Sequence, residues 1–194
     1  MHFALDLLQG IGIAAAIGVR PFLPVLLVGA LATANLGLDF DGTDFAFLES
    51  WPFLLAVLVV VGALEYAARK RAGHEPPPLV YALAAVAVAL GALEAAGSLA
   101  DHGYTVAPGV ALGAAAAVLG FLAARSLFGR VRRRLDPEAA AALPVYAEGG
   151  ALLGAGLSIL LPPLAILLVA AQAWLLIGGR RREGEKYAGL RILR

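Results

Sequence analysis

Three ionisable side chains stand inside otherwise apolar sequence. Arg20 interrupts the stretch Phe3–Leu36 near its middle, in the run Arg20-Pro21-Phe22-Leu23-Pro24. Glu65 lies about one helical turn before Arg69, and Glu148 about one turn after Pro144. A charged side chain at the centre of a membrane helix costs about 2.5–3.5 kcal/mol on insertion scales, so it needs a partner or an aqueous cavity. One guanidinium and two carboxyls at a common depth could bind an anion, a cation or a proton. They could equally form a structural ion-pair knot joining three helices. Glu65 has a further bland reading, an i,i+4 pair with Arg69.

Two more polar groups lie in apolar helical sequence. Glu94 falls near one end of its segment and is expected to snorkel to the outer surface. Its alternative role is the outer gate of a path whose inner gate is Glu65. Gln172 falls mid-segment and is expected to hydrogen-bond a neighbouring helix, with solute contact as the alternative. Gly10, Ala14 and Gly18 recur at one-turn spacing, as do Gly150 and Gly154. Such stripes let helix backbones approach closely. The alternative is that unwound backbone near Pro21, Pro24, Pro162 and Pro163 meets a solute, as in transporters with broken helices.

Other chemistries find no support. Asp39, Asp41, Asp44 and Glu49 miss the EF-hand pattern, because Gly42 falls too early and no acid follows at the closing position. A solvated external loop is expected there. His2, His74 and His102 have no metal spacing, and the chain has no cysteine. Ser50, Ser98, Ser126 and Ser158 have no recognisable triad partners, and no glycine-rich phosphate loop is present. No metal, cofactor or enzymatic activity is expected.

The elements that hold these residues follow from composition. The chain is 61% hydrophobic and only 15% charged, against about 25% charged residues in a soluble domain. Several apolar runs exceed the roughly 18 residues of a spanning helix. In hydrocarbon every backbone polar group needs an internal partner, which leaves helices or a closed barrel. The runs lack the alternation of barrel strands. An all-α polytopic membrane bundle, one integral membrane domain over 1–194, is expected. Only His2 precedes Asp6, so no basic signal-peptide leader is read.

The net charge of +1 conceals an uneven distribution. Arg69–His74, Arg125–Arg134 and Arg180–Arg194 are basic, whereas Asp39–Glu49 and Ala100–His102 hold no lysine or arginine. The positive-inside rule puts the first group in the cytoplasm, C-terminus included, and the second outside. Spans are read at 52–68, 79–97 and 108–125, with Ser50 as the cap of the first. The segment 126–143 reads as a cytoplasmic amphipathic element, its arginines 130–134 reaching anionic headgroups rather than nucleic acid. Asp136-Pro137 looks like a fresh helix start inside it, and Pro144 restarts the chain.

The region 145–179 begins and ends beside basic segments, so it crosses an even number of times. A hairpin turning at Pro162-Pro163 gives two arms of about 25 Å each; a re-entrant hairpin is the competing geometry. The stretch 3–36 would be about 50 Å long as one helix. It is either two short spans turning at Arg20-Pro21 with the N-terminus outside, or one tilted, broken crossing with the N-terminus inside. The first is favoured because it places Arg20 where positive charge is tolerated. Seven membrane segments result, or six in the other reading. The tail 180–194 is basic and cytoplasmic.

Internal echoes exist. Val59–Ala68 resembles Val88–Gly97, Pro52–Arg69 resembles Pro108–Arg125, and Pro21–Ala30 resembles Pro162–Ala171. They admit internal repeats, although chance similarity is common in so alanine- and leucine-rich a chain. The run Gly10–Leu27, GIGIAAAIGVRPFLPVLL, resembles the bacterial family called domain of unknown function 4126. Leu64-Glu65-Tyr66-Ala67 before a basic cluster is similar to that family's Leu-Glu-Phe-Leu-Ala pattern, and Tyr146-Ala147-Glu148 to its Leu-Glu-Asp segment. The chain departs from the pattern in lacking an Asp-His pairing after the second helix and in carrying Gly149 where a second acid would stand. The resemblance implies a bacterial membrane protein and no particular activity.

The resulting expectation is a small transporter or channel-like protein of a bacterial inner membrane. Its site would lie between the two broken segments, with Arg20, Glu65 and Glu148 contacting a small charged solute, a lipid headgroup or a proton. The rival is a non-transporting scaffold or assembly factor in which the same charges form an ion-pair lock. Partners are the bilayer and its anionic headgroups; a homo-oligomer is compatible with both readings.

Overall fold

The computed structural model describes residues 2–71 and 76–188. Among them are seven α-helices and no strand: α1 (His2–Val19), α2 (Phe22–Thr33), α3 (Trp51–Lys70), α4 (Pro77–Ala100), α5 (Ala107–Arg132), α6 (Pro137–Leu160) and α7 (Leu164–Ala188). A single 3-10 turn, Ala46–Glu49, precedes α3. The helices α1, α3, α4, α5 and α6 are long and apolar enough to cross a membrane, whereas α2 and the apolar part of α7, Leu164–Gly178, are shorter. The chain is an all-α helical bundle compatible with a multi-pass membrane protein.

Helix α1 forms the axis of the bundle. Ile13, Ala14, Ala15, Ala16 and Ile17 are wholly enclosed, with α4, α5, α6 and α7 packed around them. Small residues make this packing feasible. A Cβ on Gly10 would come within 2.8 Å of Ala95 Cα, and one on Gly91 within 2.8 Å of Ala117 Cβ and 3.3 Å of Ala14 Cβ. Gly18 and Gly120 likewise face backbone atoms of Ala117 and Ala15. Between helices in lipid there is little hydrophobic drive, so association depends on such close van der Waals approach. The stripe Gly10, Ala14, Gly18 is thus a packing surface. Gly150 is different: a Cβ there would meet nothing within 4 Å. Gly154 makes only ordinary contacts, with Leu168 and Ala16.

The chain reverses at Arg20-Pro21. Gln9 Nε2, on α1, donates to the carbonyl of Gly37, beyond α2, at 2.7 Å. Both ends of 3–36 therefore lie together, and α1 and α2 form a hairpin instead of one broken crossing. Pro21 has no N–H to continue α1, and the amide of Val25 restarts the ladder on the Pro21 carbonyl at 3.4 Å. A second reversal, at Pro162-Pro163, links α6 to α7 through Leu164 N–H to Leu161 O at 2.9 Å. Gly37 abuts Ile159, so this turn lies at the end where α2 finishes. The two proline turns sit at opposite ends of the bundle. We call them the basic end (Arg20, Arg125, Arg130) and the acidic end (Asp39, Asp101).

Several local expectations are corrected. There is no separate amphipathic element at 126–143. Helix α5 continues to Arg132, and α6 begins at Pro137. Asp136 caps α6, its Oδ1 accepting from Ala139 N–H at 2.8 Å. Pro144 sits inside α6 and restarts nothing; packed helices tolerate proline when neighbours re-satisfy the freed backbone. Arg130 reaches into the protein, donating to Ser126 Oγ and, at 3.3 Å, to the carbonyl of Leu175 on α7. Ser50 does not cap α3 with its hydroxyl, which donates back to Phe47 O at 2.6 Å. The side chain of Arg69, on which the Glu65–Arg69 pair depends, His74 and the side chains of the basic tail are not among those described.

The loop between α2 and α3 is only half solvated. Leu38, Phe40 and Leu48 are buried, while Asp39 and Asp41 point outward. Leu38-Asp39-Phe40-Asp41 is an alternating run, and an extended backbone sends alternate side chains to opposite faces. Phe40 and Leu48 close over Gly97 of α4 and join the core with Ile13, Val28 and Leu90. This plug closes the acidic end of the bundle.

Candidate functional site: a charged cluster at the basic end

The α1–α2 turn carries Arg20 to the end of α3. Its Nη1 lies 3.6 Å from Glu65 Oε1, with the Arg20 side chain 24% exposed and Glu65 6%. Glu148 enters from α6 and is buried. Its electrostatic neighbours are, in order of strength, Glu65, Arg20 and the amide of Leu23 in the first turn of α2. That amide belongs to a helix N-terminus, whose first N–H groups have no intrahelical partner and favour negative charge. The structure therefore gathers Arg20, Glu65 and Glu148 from the α1–α2 turn, α3 and α6 into one cluster.

The prolines divide. Pro21 and Pro24 are buried beside the cluster, and Pro24 occupies the first turn of α2, where a missing N–H costs nothing. Pro162 and Pro163 lie at the opposite end, so the site is not between the two breaks.

Beside the cluster is a cavity of about 110 Å³. Val19 and Ala147, chain neighbours of Arg20 and Glu148, line it together with Gly150, Phe128, Gln172 and Leu175. Gln172 donates from Nε2 to Ala15 O at 3.1 Å, joining α7 to α1 as expected of an inter-helix bond, while its Oε1 is buried without a partner.

Glu94 departs from expectation. It is 1% exposed, and neither carboxyl oxygen has a hydrogen-bond partner among the described residues. It does not snorkel, because its side chain points from α4 into the bundle rather than along the lipid face. The polar groups near it were not legible as a set. Asp6 Oδ2 is 3.2 Å from His102 Nδ1, and Ser98 Oγ donates to the Asp6 carbonyl at 2.9 Å. One signal was present: Asp6 stands one turn before Gly10 and extends the Gly10, Ala14, Gly18 stripe that faces the neighbouring helices.

At the acidic end Asp39, Asp41 and Glu49 each offer a carboxylate oxygen, all within 4.8 Å of one another. They could share a cation, although exposed acids are commonly grouped with no ion. Burial, then a hydrogen bond and repulsion from Asp41, raise the Glu49 carboxyl above its ordinary 4.5. A carboxyl that takes up its proton more readily when folded stabilises the fold at acid pH. That advantage is lost as pH rises from the unfolded value through the folded one. Glu49→Gln is therefore expected to raise the melting temperature at neutral pH and to leave it unchanged below about pH 4, where both forms are neutral. Equal shifts at both pH values would show that repulsion is not the cause.

Comparison with protein-family models, with curated proteins and with solved structures finds no match for this chain.

Proposed function

We propose that this chain is a small transporter or channel-like protein of a bacterial cytoplasmic membrane, related to the family called domain of unknown function 4126. Its solute site is the Arg20–Glu65–Glu148 cluster. The excess of arginine at the basic end supports a reading with that end and the C-terminus in the cytoplasm and the N-terminus outside. The observation that carries the reading is Glu148, a buried carboxyl set beside a second carboxyl, Glu65, and the Arg20 guanidinium that Glu65 engages. Carboxyls outnumber the guanidinium two to one among these three side chains. An isolated charge in a low-dielectric interior is costly until it is paired. The cluster therefore favours a small cation or a proton over an anion or a lipid phosphate.

A second reading has its own support. The Arg20–Glu65 contact ties the α1–α2 turn to α3, as an ion-pair lock in a scaffold would. The two readings separate in proteoliposomes carrying a pH dye under an imposed potential. Glu148→Gln is expected to remove proton or monovalent-cation flux while the melting temperature in detergent holds. Unchanged flux through folded Glu148→Gln protein would sink the transport reading. The lock predicts instead that Arg20→Ala and Glu65→Gln each lower the melting temperature, and that the double substitution recovers part of the loss.

A further inference from the structure

Glu94 is the least exposed ionisable side chain among the described residues, at 1%. It lies in the half of the bundle away from Arg20, Glu65 and Glu148. Its enclosure is protein, not lipid. One turn along α4 on either side stand Leu90 and Ser98, both buried. Next to it in sequence, Ala95 packs on Gly10 of α1 and on Gly113 of α5. Nearby on the same helix, Gly91 packs on Ala14 and Ala117, and Gly97 lies under Phe40 and Leu48. Glu94 thus stands on the stretch of α4 that packs on α1, α5 and the plug.

The carboxyl does nothing for this packing. It makes no hydrogen bond among the described residues. The ionisable groups of the adjoining elements are occupied with one another: Asp6 of α1 with His102, His102 with Asp101, and Glu49 of the loop with Asp41. None comes from α5. A glutamine or leucine would fill the same space with no unpaired charge. An unpartnered carboxylate in such surroundings is unfavourable, and intramembrane acids of this kind mark ion or proton paths.

A file of polar groups leads to it from the acidic end. His102, about half exposed, touches the Asp6 carboxyl at 3.2 Å. The Asp6 carbonyl accepts from Ser98 Oγ at 2.9 Å. Ser98 stands one turn from Glu94, about 6 Å along α4. We propose that Glu94 is a binding site for one positive charge, a proton or a small monovalent cation, reached from the acidic end along His102, Asp6 and Ser98. It is a second station, distinct from the cluster at the basic end and separated from it by the enclosed middle of α1.

Infrared difference spectra of wild-type minus Glu94→Gln protein in lipid, titrated with acid and alkali with and without sodium or potassium, test this directly. The readout is binding and not flux, so it stands or falls separately from the role of Glu148; Glu148→Gln is expected to leave the Glu94 signal in place. A protonated-carboxyl C=O band that disappears on titration identifies a proton site. A carboxylate band that shifts only when sodium or potassium is added identifies a cation site. A band that responds neither to pH nor to either cation would overturn the proposal. Glu94→Gln and Glu94→Leu are expected to fold and to melt no lower than wild type, because the carboxyl holds no bond. A marked loss of stability in both would assign Glu94 to the fold and equally overturn the proposal. His102→Ala, at the surface, is expected to slow the titration without abolishing it.

Discussion

Phe40→Ala is expected to destabilise the folded protein by about 3–5 kcal/mol, the usual cost of truncating an enclosed aromatic side chain. Phe40 is wholly buried, although it sits in a loop between two helices. Its ring edge lies where a Cβ on Gly97 would stand, at 2.9 Å, so the absence of a side chain at position 97 is what admits it. The loop backbone is held for this purpose. Thr43 donates to the Phe40 carbonyl from both its hydroxyl, at 2.8 Å, and its amide, at 3.1 Å. Asp101 accepts from the Asp39 amide at 3.4 Å and ties the loop to the end of α4. Removing the ring leaves a void that these anchors keep from collapsing, which places the cost in the upper part of the large-to-small range. Thermal melting in detergent checks it, with Phe40→Leu expected to lose much less. A loss below about 1 kcal/mol for Phe40→Ala would mean that the plug is not part of the core.

Gly120→Val is expected to cost at least about 3 kcal/mol and to loosen α1 from α5. A Cβ at position 120 would overlap the Ala15 carbonyl oxygen and approach Gly18 Cα at 3.2 Å. From the other side, a Cβ on Gly18 would come within 2.9 Å of Ala117 Cα. These neighbours are backbone atoms in the axial helix and cannot swing aside as a side chain would. Overpacking a yielding core costs about 1–3 kcal/mol, and a rigid one more. Gly149→Ala is the control. Nothing lies within 4 Å of its added Cβ, so the change is expected to be neutral or slightly stabilising, by up to about 1 kcal/mol of helix propensity. If the two variants melted alike, close backbone approach would not be what holds α1 to α5.

The glycine pattern shows how far sequence spacing reaches. Gly10, Ala14 and Gly18 at one-turn intervals announce a surface on which another backbone can rest. The same interval at Gly150 and Gly154 announces it equally, yet Gly150 opens onto a cavity. Spacing states which approach is permitted. Which helix makes it depends on how every other helix packs. Glu94 teaches the same about charge. Its distance from the end of α4 suggested snorkelling, because sequence measures depth along a helix well. It measures poorly the direction around the axis, where the choice between lipid and protein is made. The acids of Asp39–Glu49 suggested a solvated loop, whereas Leu38, Phe40 and Leu48 beside them are buried, because a count of charges does not show which side of the backbone faces the core.

From sequence alone came the all-helical apolar class, the reversal at Pro162-Pro163 and the common depth of Arg20, Glu65 and Glu148. These follow from one-dimensional quantities: run length against bilayer thickness, the missing N–H of proline, and the count of arginines at each end. Only the tertiary structure decided that 3–36 is a hairpin, that Arg20 engages Glu65 with Glu148 buried beside them, and that Glu94 is sealed inside. Each of those depends on which faces meet across helices distant in sequence. A carboxyl's charge state and role are set by the few groups within hydrogen-bond reach, and the chain brings those together only when it packs.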